Sequence, residues 1–276
     1  NQLFLLHIQY LAVTQGGHSY STIAAMKEVR KTSSDIVAIT ANMNSIVCDL
    51  SKYVVDIGCG EEKVGYVTKG FSGTVLTFIL MGLELAYENK KISEDYYYKE
   101  IEKIEDAIGY IDIVIEKSLK WYEYNKDELV SGKRFVAIGY GPGYGVAREA
   151  DTKITETVRV PMNGYELEEY MHGPYLSLSD KDHIIFIEAE SKLQERQVTL
   201  RNYLEEYTEH TYAITYKETS DNKHDLTLGI SIDEMISPLL FAIPIQILSY
   251  FLAEDKGNKL SDKIFSDFDE KLKSKI

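Results

Sequence analysis

Four places in the sequence carry residue types and spacings that could do chemistry. The first is Thr14-Gln15-Gly16-Gly17-His18-Ser19, small and polar, set between an apolar run and a segment of helical period. Such a turn supplies backbone N–H groups, glycines that admit close approach and hydroxyl donors, which together suit a phosphate dianion. The same composition also caps helices without binding anything, and His18 either adds charge to the pocket or faces solvent. The second is Lys153-Ile-Thr-Glu156, where lysine and carboxylate lie one turn apart on one helix face. Glu156 is then either a carboxylate that moves protons or a solvated acid paired with Lys153 or Arg159. The third is His172 in Met171-His172-Gly173-Pro174, a turn that presents an imidazole able to pass a proton near neutral pH. The alternative is a lone surface histidine. The fourth is the basic run Lys271-Leu-Lys273-Ser-Lys-Ile276, where a desolvated lysine could act as a nucleophile and a solvated one would do nothing.

The elements that must position these residues follow from periodicity. Leu3–Val13 reads as a strand and Ile23–Lys31 as a helix, with further strands at Asp35–Thr40 and Tyr53–Ile57 around a short helix at Ser45–Ser51. Thr68–Tyr87 reads as a long apolar helix. Between Ser93 and Asn125 a seam of Ile101, Ile104, Ile108, Ile111 and Ile115 predicts one interdomain helix. The alternation then restarts: strand Arg134–Gly139, the loop Gly139-Tyr-Gly-Pro-Gly-Tyr-Gly145, helix Val146–Val158, strands His183–Glu188 and His210–Tyr216, and helix Pro238–Leu252. Strands alternating with helices imply parallel sheets. The second glycine loop fails as a dinucleotide fingerprint, because its third glycine would fall at Tyr144 or Val146. It reads as a tight strand-to-helix turn.

A chain of 276 residues fits two modest cores. Its formal net charge of −14 argues against nucleic acid and anionic membrane surfaces as partners. Cys48 and Cys59 form no disulfide framework or zinc pattern, so neither metal nor cofactor is expected and the cytoplasm is the natural compartment. The apolar stretches Phe71–Ala86 and Ile236–Ala253 read as too short or too polar to span a bilayer.

With both loops placed, the chain resembles the SIS (sugar isomerase) family, and within it the isomerase half of glucosamine-6-phosphate synthase and the fructosamine-6-phosphate deglycases and phosphosugar isomerases. Thr14-Gln-Gly-Gly-His-Ser19 resembles the family's Ser-Gln-Ser-Gly-x-Thr phosphate loop. Gly60-Glu-Glu-Lys-Val-Gly-Tyr-Val-Thr-Lys-Gly-Phe71 resembles its Gly-x-Glu…Ala-Ser-Thr-Lys-x-Phe segment. Lys153-Ile-Thr-Glu156 with Glu166-Leu-Glu-Glu-Tyr-Met-His-Gly-Pro174 resembles its Lys-x-x-Glu…Glu-x-x-His-Gly-Pro signature, with the matching interval from Glu156 to His172. Gly16 and Val67 depart from it where hydroxyl residues are usual.

The resemblance implies an α/β protein of two SIS domains, each a flavodoxin-like three-layer α-β-α sandwich with a mainly parallel sheet. Residues 1–92 would be a first domain lacking its opening strand, loop and helix, 93–130 a linker helix region, 131–256 the second domain, and 257–276 a tail over the active site. It implies an isomerase or deglycase of a ketose or fructosamine 6-phosphate, acting by ring opening and C1–C2 proton transfer. The alternative is a regulatory protein that binds the sugar phosphate without catalysis. Glu156 would move the proton and residues 14–19 would hold the phosphate. His172 would open the ring in the neighbouring subunit's site, making the protein a homodimer with active sites at the subunit interface. Lys271 or Lys273 would form a Schiff base. No glutaminase domain or N-terminal nucleophilic cysteine is seen, so glutamine-dependent amination is not expected.

Overall fold

Short runs of β-branched and apolar residues bounded by small polar turns fold as parallel strands in the computed structural model, which describes residues 10–32, 35–218, 222–262 and 264–274. These residues fall into two units, 1–80 with 262–276, and 81–261. In the first, β1 (Tyr10–Val13), β2 (Ile36–Thr40) and β3 (Tyr53–Asp56) form a parallel sheet in the order β1-β2-β3. Helices α1 (Tyr20–Arg30) and α2 (Ile46–Leu50) cover it, burying Ile23, Met26 and Val47 against Ala12, Ile36 and Ala38. Leu3–Gln9 of the expected first strand lie outside the described residues.

Helix α3 (Lys69–Glu88) runs from the first unit into the second. There α4 (Glu94–Gly109) and α5 (Ile111–Ser131) precede β4 (Phe135–Gly139), α6 (Pro142–Thr157), β5 (Met162–Glu166), α7 (Leu167–Met171) and a 3-10 turn at Pro174–Ser177. Then come β6 (His183–Glu188), α8 (Gln194–Leu204), β7 (Thr211–Thr215), β8 (Leu226–Thr227) and α9 (Pro238–Asp255). The five strands are all parallel, in the order β5-β4-β6-β7-β8. Alternate residues face opposite layers. Phe135, Ala137, Ile185, Ile187, Tyr212 and Ile214 pack with α5, α6 and α9, while Val136, Ile138, Ile184, Phe186 and Ala213 pack with α7 and α8. This unit is therefore a three-layer α-β-α sandwich. The tail carries α10 (Phe268–Leu272) and belongs to the first unit.

Two expectations change. The isoleucine seam forms two helices broken at Tyr110, and of its members Ile104 is buried while Ile108 and Ile115 are exposed. The buried stripe of α5 is instead Val114, Ser118, Trp121, Tyr122, Asn125 and Leu129. Its polar members are satisfied, Trp121 Nε1 donating to the His224 carbonyl at 2.6 Å and the Tyr122 hydroxyl to Asp255 at 2.6 Å. The two apolar stretches, read as too short or too polar for a membrane, form helices of 20 and 18 residues with window hydropathies of 1.4 and 1.2, which do suffice by length and composition. α9 is 67% buried over that window, as a core helix is, and α3 is 11% buried.

At the amino edge of the second sheet three of the histidines gather around one acid. His183 is buried and stacks on His210 at 4.4 Å, with its ring nitrogens facing the carbonyls of Glu128 (3.0 Å) and Lys181 (3.3 Å). Glu128 meets His210 Nδ1 and the Tyr212 hydroxyl, both at 2.7 Å, and His224 Nδ1 at 3.5 Å. Ligand atoms of Glu128, His183 and His210 lie within 4.8 Å of one another. The rings of His183 and His210 are, however, within 5° of parallel, and in-plane lone pairs on parallel rings do not converge on one ion. The group is a hydrogen-bonded network. Burial, then the facing His210, lowers the His183 pKa. Burial pushes Glu128 up, but hydrogen bonds from Tyr212 and His210 and the nearby His224 bring it below the usual range.

Both shifts act in one direction. The unfolded chain takes up protons that folded His183 refuses, so the stability it contributes is present above about pH 6.5 and is lost as pH falls through its lower folded value. Glu128 does the same in the carboxylate range. The thermal midpoint should fall from pH 7 to pH 5, and less so in His183→Phe; equal slopes would remove His183 as the cause.

Candidate active site

The loop expected to hold phosphate is built as a strand-to-helix turn. Its backbone is pinned from outside: Thr14 N–H donates to Ile39, and Ala41 N–H and the Thr40 hydroxyl donate to the Gln15 carbonyl, all at 3.0 Å. Asn42 Nδ2 donates to the Gly16 carbonyl at 3.3 Å and lies 3.4 Å from His18 Nε2. Gly17 is buried at φ +73°, and a Cβ there would lie 2.0 Å from Ser45 Oγ, so glycine is required. Gly16 is exposed with open space around it. Ser19 precedes α1, and its hydroxyl meets Ser21 Oγ at 3.1 Å without capping the helix.

Glu62, inside the Gly60-Glu-Glu segment, ties this loop to α3. Its carboxylate accepts from Gln15 Nε2 at 3.1 Å and from the N–H groups of Thr68, Lys69 and Gly70 at the helix start. Burial pushes its pKa up, but these donors outweigh burial and hold it below the ordinary range. The tail also arrives here. The Ser274 carbonyl accepts from Tyr20 N–H at 3.1 Å, one residue past the loop. Lys273, exposed and in the left-handed region at φ +51°, immediately precedes that tether. Lys271 is instead paired with Asp267 at 2.6 Å on α10.

In the second unit the Lys153 ammonium, 5% exposed, contacts Glu156 directly and lies 4.0 Å from Glu149. Glu156 is one-third exposed and Glu149 one-tenth. One helix face thus sets two carboxylates around a buried lysine. Glu149 was missed in the sequence; its signal was the spacing of four residues before Lys153.

His172 lies elsewhere. It follows α7, whose start is capped by Glu166 accepting from Glu168 and Glu169 N–H, and it is exposed. In a parallel sheet α6 runs back from the carboxyl edge to the amino edge, where Glu156 sits near its end; β5 returns to the carboxyl edge, and α7 then leads the chain past His172 to Ser177, whose carbonyl accepts from Arg134 beside the start of β4. Because α6 packs in one outer layer and α7 in the other, Glu156 and His172 of one chain sit on elements on opposite faces of the sheet. Beside His172, Met171, Tyr175, Arg196, Leu200, Tyr203 and Leu204 line a groove of about 380 Å³.

Comparison with known proteins agrees with this architecture. The SIS domain pattern matches residues 128–253. The glutamine–fructose-6-phosphate aminotransferase (isomerizing) of Thermococcus kodakarensis is 26% identical over 252 residues, 90% of this chain, and the chain spans 41% of that relative's length. A solved structure of a provisionally assigned phosphosugar isomerase from Clostridium difficile 630 is 34% identical, with a TM-score of 0.89 over 96% of this chain and 74% of that one. Glucosamine-6-phosphate deaminase of Thermotoga maritima shares the fold at 21% identity and a TM-score of 0.74, covering 91% of this chain and 72% of its own. The parallel sheets and these likenesses together make the chain a member of the SIS domain family.

Proposed function

We propose that the chain is a sugar-phosphate isomerase or deglycase acting on a ketose or fructosamine 6-phosphate. The observation that carries the reading is the α6 face, where a one-third-exposed carboxylate at Glu156 is oriented by a lysine whose charge partners among the described residues are Glu149 and Glu156. Isomerisation moves a proton between C1 and C2, and one carboxylate that can reach both carbons does this through an enediol or enamine. The loop 14–19 takes the phosphate through its amides and hydroxyls. His172 passes the proton that opens the sugar ring, and Lys273 forms the Schiff base. Lys273 is preferred to Lys271 because it adjoins the Ser274 tether, whereas Lys271 is held by Asp267.

The separation of Glu156 from His172 supports a homodimer in which His172 serves the neighbouring subunit's site. The apolar surface beside it, with Leu176 77% and Tyr203 50% exposed, suits a second copy. The reading carries with it a two-domain enzyme of the cytoplasm, without metal, cofactor, nucleic acid or membrane. A thermal-shift panel of hexose 6-phosphates and fructosamine 6-phosphates, followed by turnover assays, tests it. Stabilisation with turnover is expected, and borohydride reduction with the active sugar should label Lys273 and spare Lys271. Stabilisation without turnover would favour the regulatory alternative.

A further inference from the structure

The Glu62 carboxylate divides four donors between its two oxygens. Oε1 accepts from the N–H groups of Thr68 at 2.9 Å and Lys69 at 3.3 Å, and Oε2 accepts from Gly70 N–H at 3.0 Å and from Gln15 Nε2 at 3.1 Å. An anion is thus already seated on the first turn of the 20-residue α3. Although burial pushes the Glu62 pKa up, these four donors hold it below the ordinary range, so the group stays an acceptor at neutral pH.

The fourth donor has a consequence for the ligand. An ionised carboxylate only accepts hydrogen bonds, so the end of the Gln15 amide that meets Glu62 is the nitrogen, and the carbonyl Oε1 is the end left over. Gly70, itself buried, makes room for this arrangement: a Cβ at 70 would lie 2.0 Å from Gln15 Nε2 and 2.4 Å from Oε1. Among the described residues Oε1 has no hydrogen-bond partner, and Gln15 is half-buried beside the exposed Gly16 and His18. A phosphate dianion offers acceptors alone, so it gains nothing from that carbonyl. On the remaining N–H of Nε2 it would lie next to the Glu62 carboxylate, like charge beside like charge. A sugar hydroxyl, by contrast, can donate to Oε1.

We infer that Glu62 is a positioning residue that fixes the Gln15 amide with its carbonyl toward the ligand, so that Gln15 reads a hydroxyl of the sugar. The phosphate is then left to the backbone amides of the loop and to the hydroxyls of Thr14 and Ser19. This rests on the reading of residues 14–19 as the phosphate loop, and it gives that loop two tasks: one end of the ligand is recognised as an anion and its neighbour as an alcohol.

The test compares two phosphate monoesters of one chain length, glucitol 6-phosphate and hexyl phosphate, which differ in their hydroxyls alone. Calorimetric Kd is measured for wild type, Gln15→Met and Glu62→Gln, with thermal midpoints to confirm folding. Gln15→Met should weaken glucitol 6-phosphate about 3- to 10-fold and hold hexyl phosphate within about twofold. In Glu62→Gln the new carbonyl stays on the N–H groups of Thr68 and Lys69 and the new amide nitrogen faces Gln15, which turns the Gln15 amide end for end. Glucitol 6-phosphate should again weaken, and hexyl phosphate should not. A residue that only braced the loop would weaken both ligands together. Equal losses for the two monoesters in Gln15→Met, or no loss in either, would overturn the inference and leave the phosphate reading standing. If Glu62→Gln does not fold, the Gln15→Met ratio decides alone. Binding of neither monoester to wild type overturns the inference and the phosphate reading together.

Discussion

Glu156→Gln should leave the protein folded and still stabilised by its sugar phosphate, while turnover falls about a thousandfold. The amide keeps the volume of the carboxylate and can still accept from Lys153, but it cannot take a proton from carbon. The buried Lys153 retains Glu149 at 4.0 Å, so the exchange does not strand a charge in the core. A circular dichroism spectrum, a ligand-induced thermal shift and a turnover assay separate the three quantities. Undiminished turnover would remove Glu156 from the mechanism, and a lost ligand shift would make it a binding residue instead.

The second large effect concerns which chain supplies His172. If Glu156 and His172 act on one sugar from two subunits, Glu156→Gln and His172→Ala should each be nearly inactive alone. Co-expressed, they should recover about a quarter of wild-type activity. Random pairing makes half the dimers mixed, and each mixed dimer has one site with both residues intact and one with neither. Activity no greater than the sum of the separate variants would return His172 to a local role. Within one chain the two residues sit on elements in opposite layers of the sandwich, which is why the mixed dimer is the informative sample.

That topology is also where the sequence was least informative. His183–Glu188 reads directly as a strand because it is apolar on both faces and buried on both. β5, Met-Asn-Gly-Tyr-Glu, has no such pattern. It is an edge strand, and Gly164 is needed because a Cβ would lie 2.2 Å from the Ala147 carbonyl of α6. With β5 unseen, Glu156 and His172 look like neighbours in sequence and not like residues on elements in opposite layers of a sandwich. α8 was missed for a related reason, since its buried positions include Gln197 and Arg201, which break any apolar period. The candidate site was legible where its residues form a spaced motif, as in Lys153-Ile-Thr-Glu156. It was less legible at Glu149, whose place beside the buried Lys153 shows only once α6 is packed.

The tether between Ser274 and Tyr20 has a consequence for biosynthesis. The first unit takes its final piece from residues 262–276, on the far side of the whole second unit. At translation rates of roughly 5–20 residues per second, residues 10–80 wait on the order of ten to forty seconds for that segment to emerge from the ribosome. During that interval the start of α1 lacks its carbonyl partner. The unit made first is therefore finished last, and a nascent chain stalled before residue 262 should expose its early strands to proteases while the second unit is already folded.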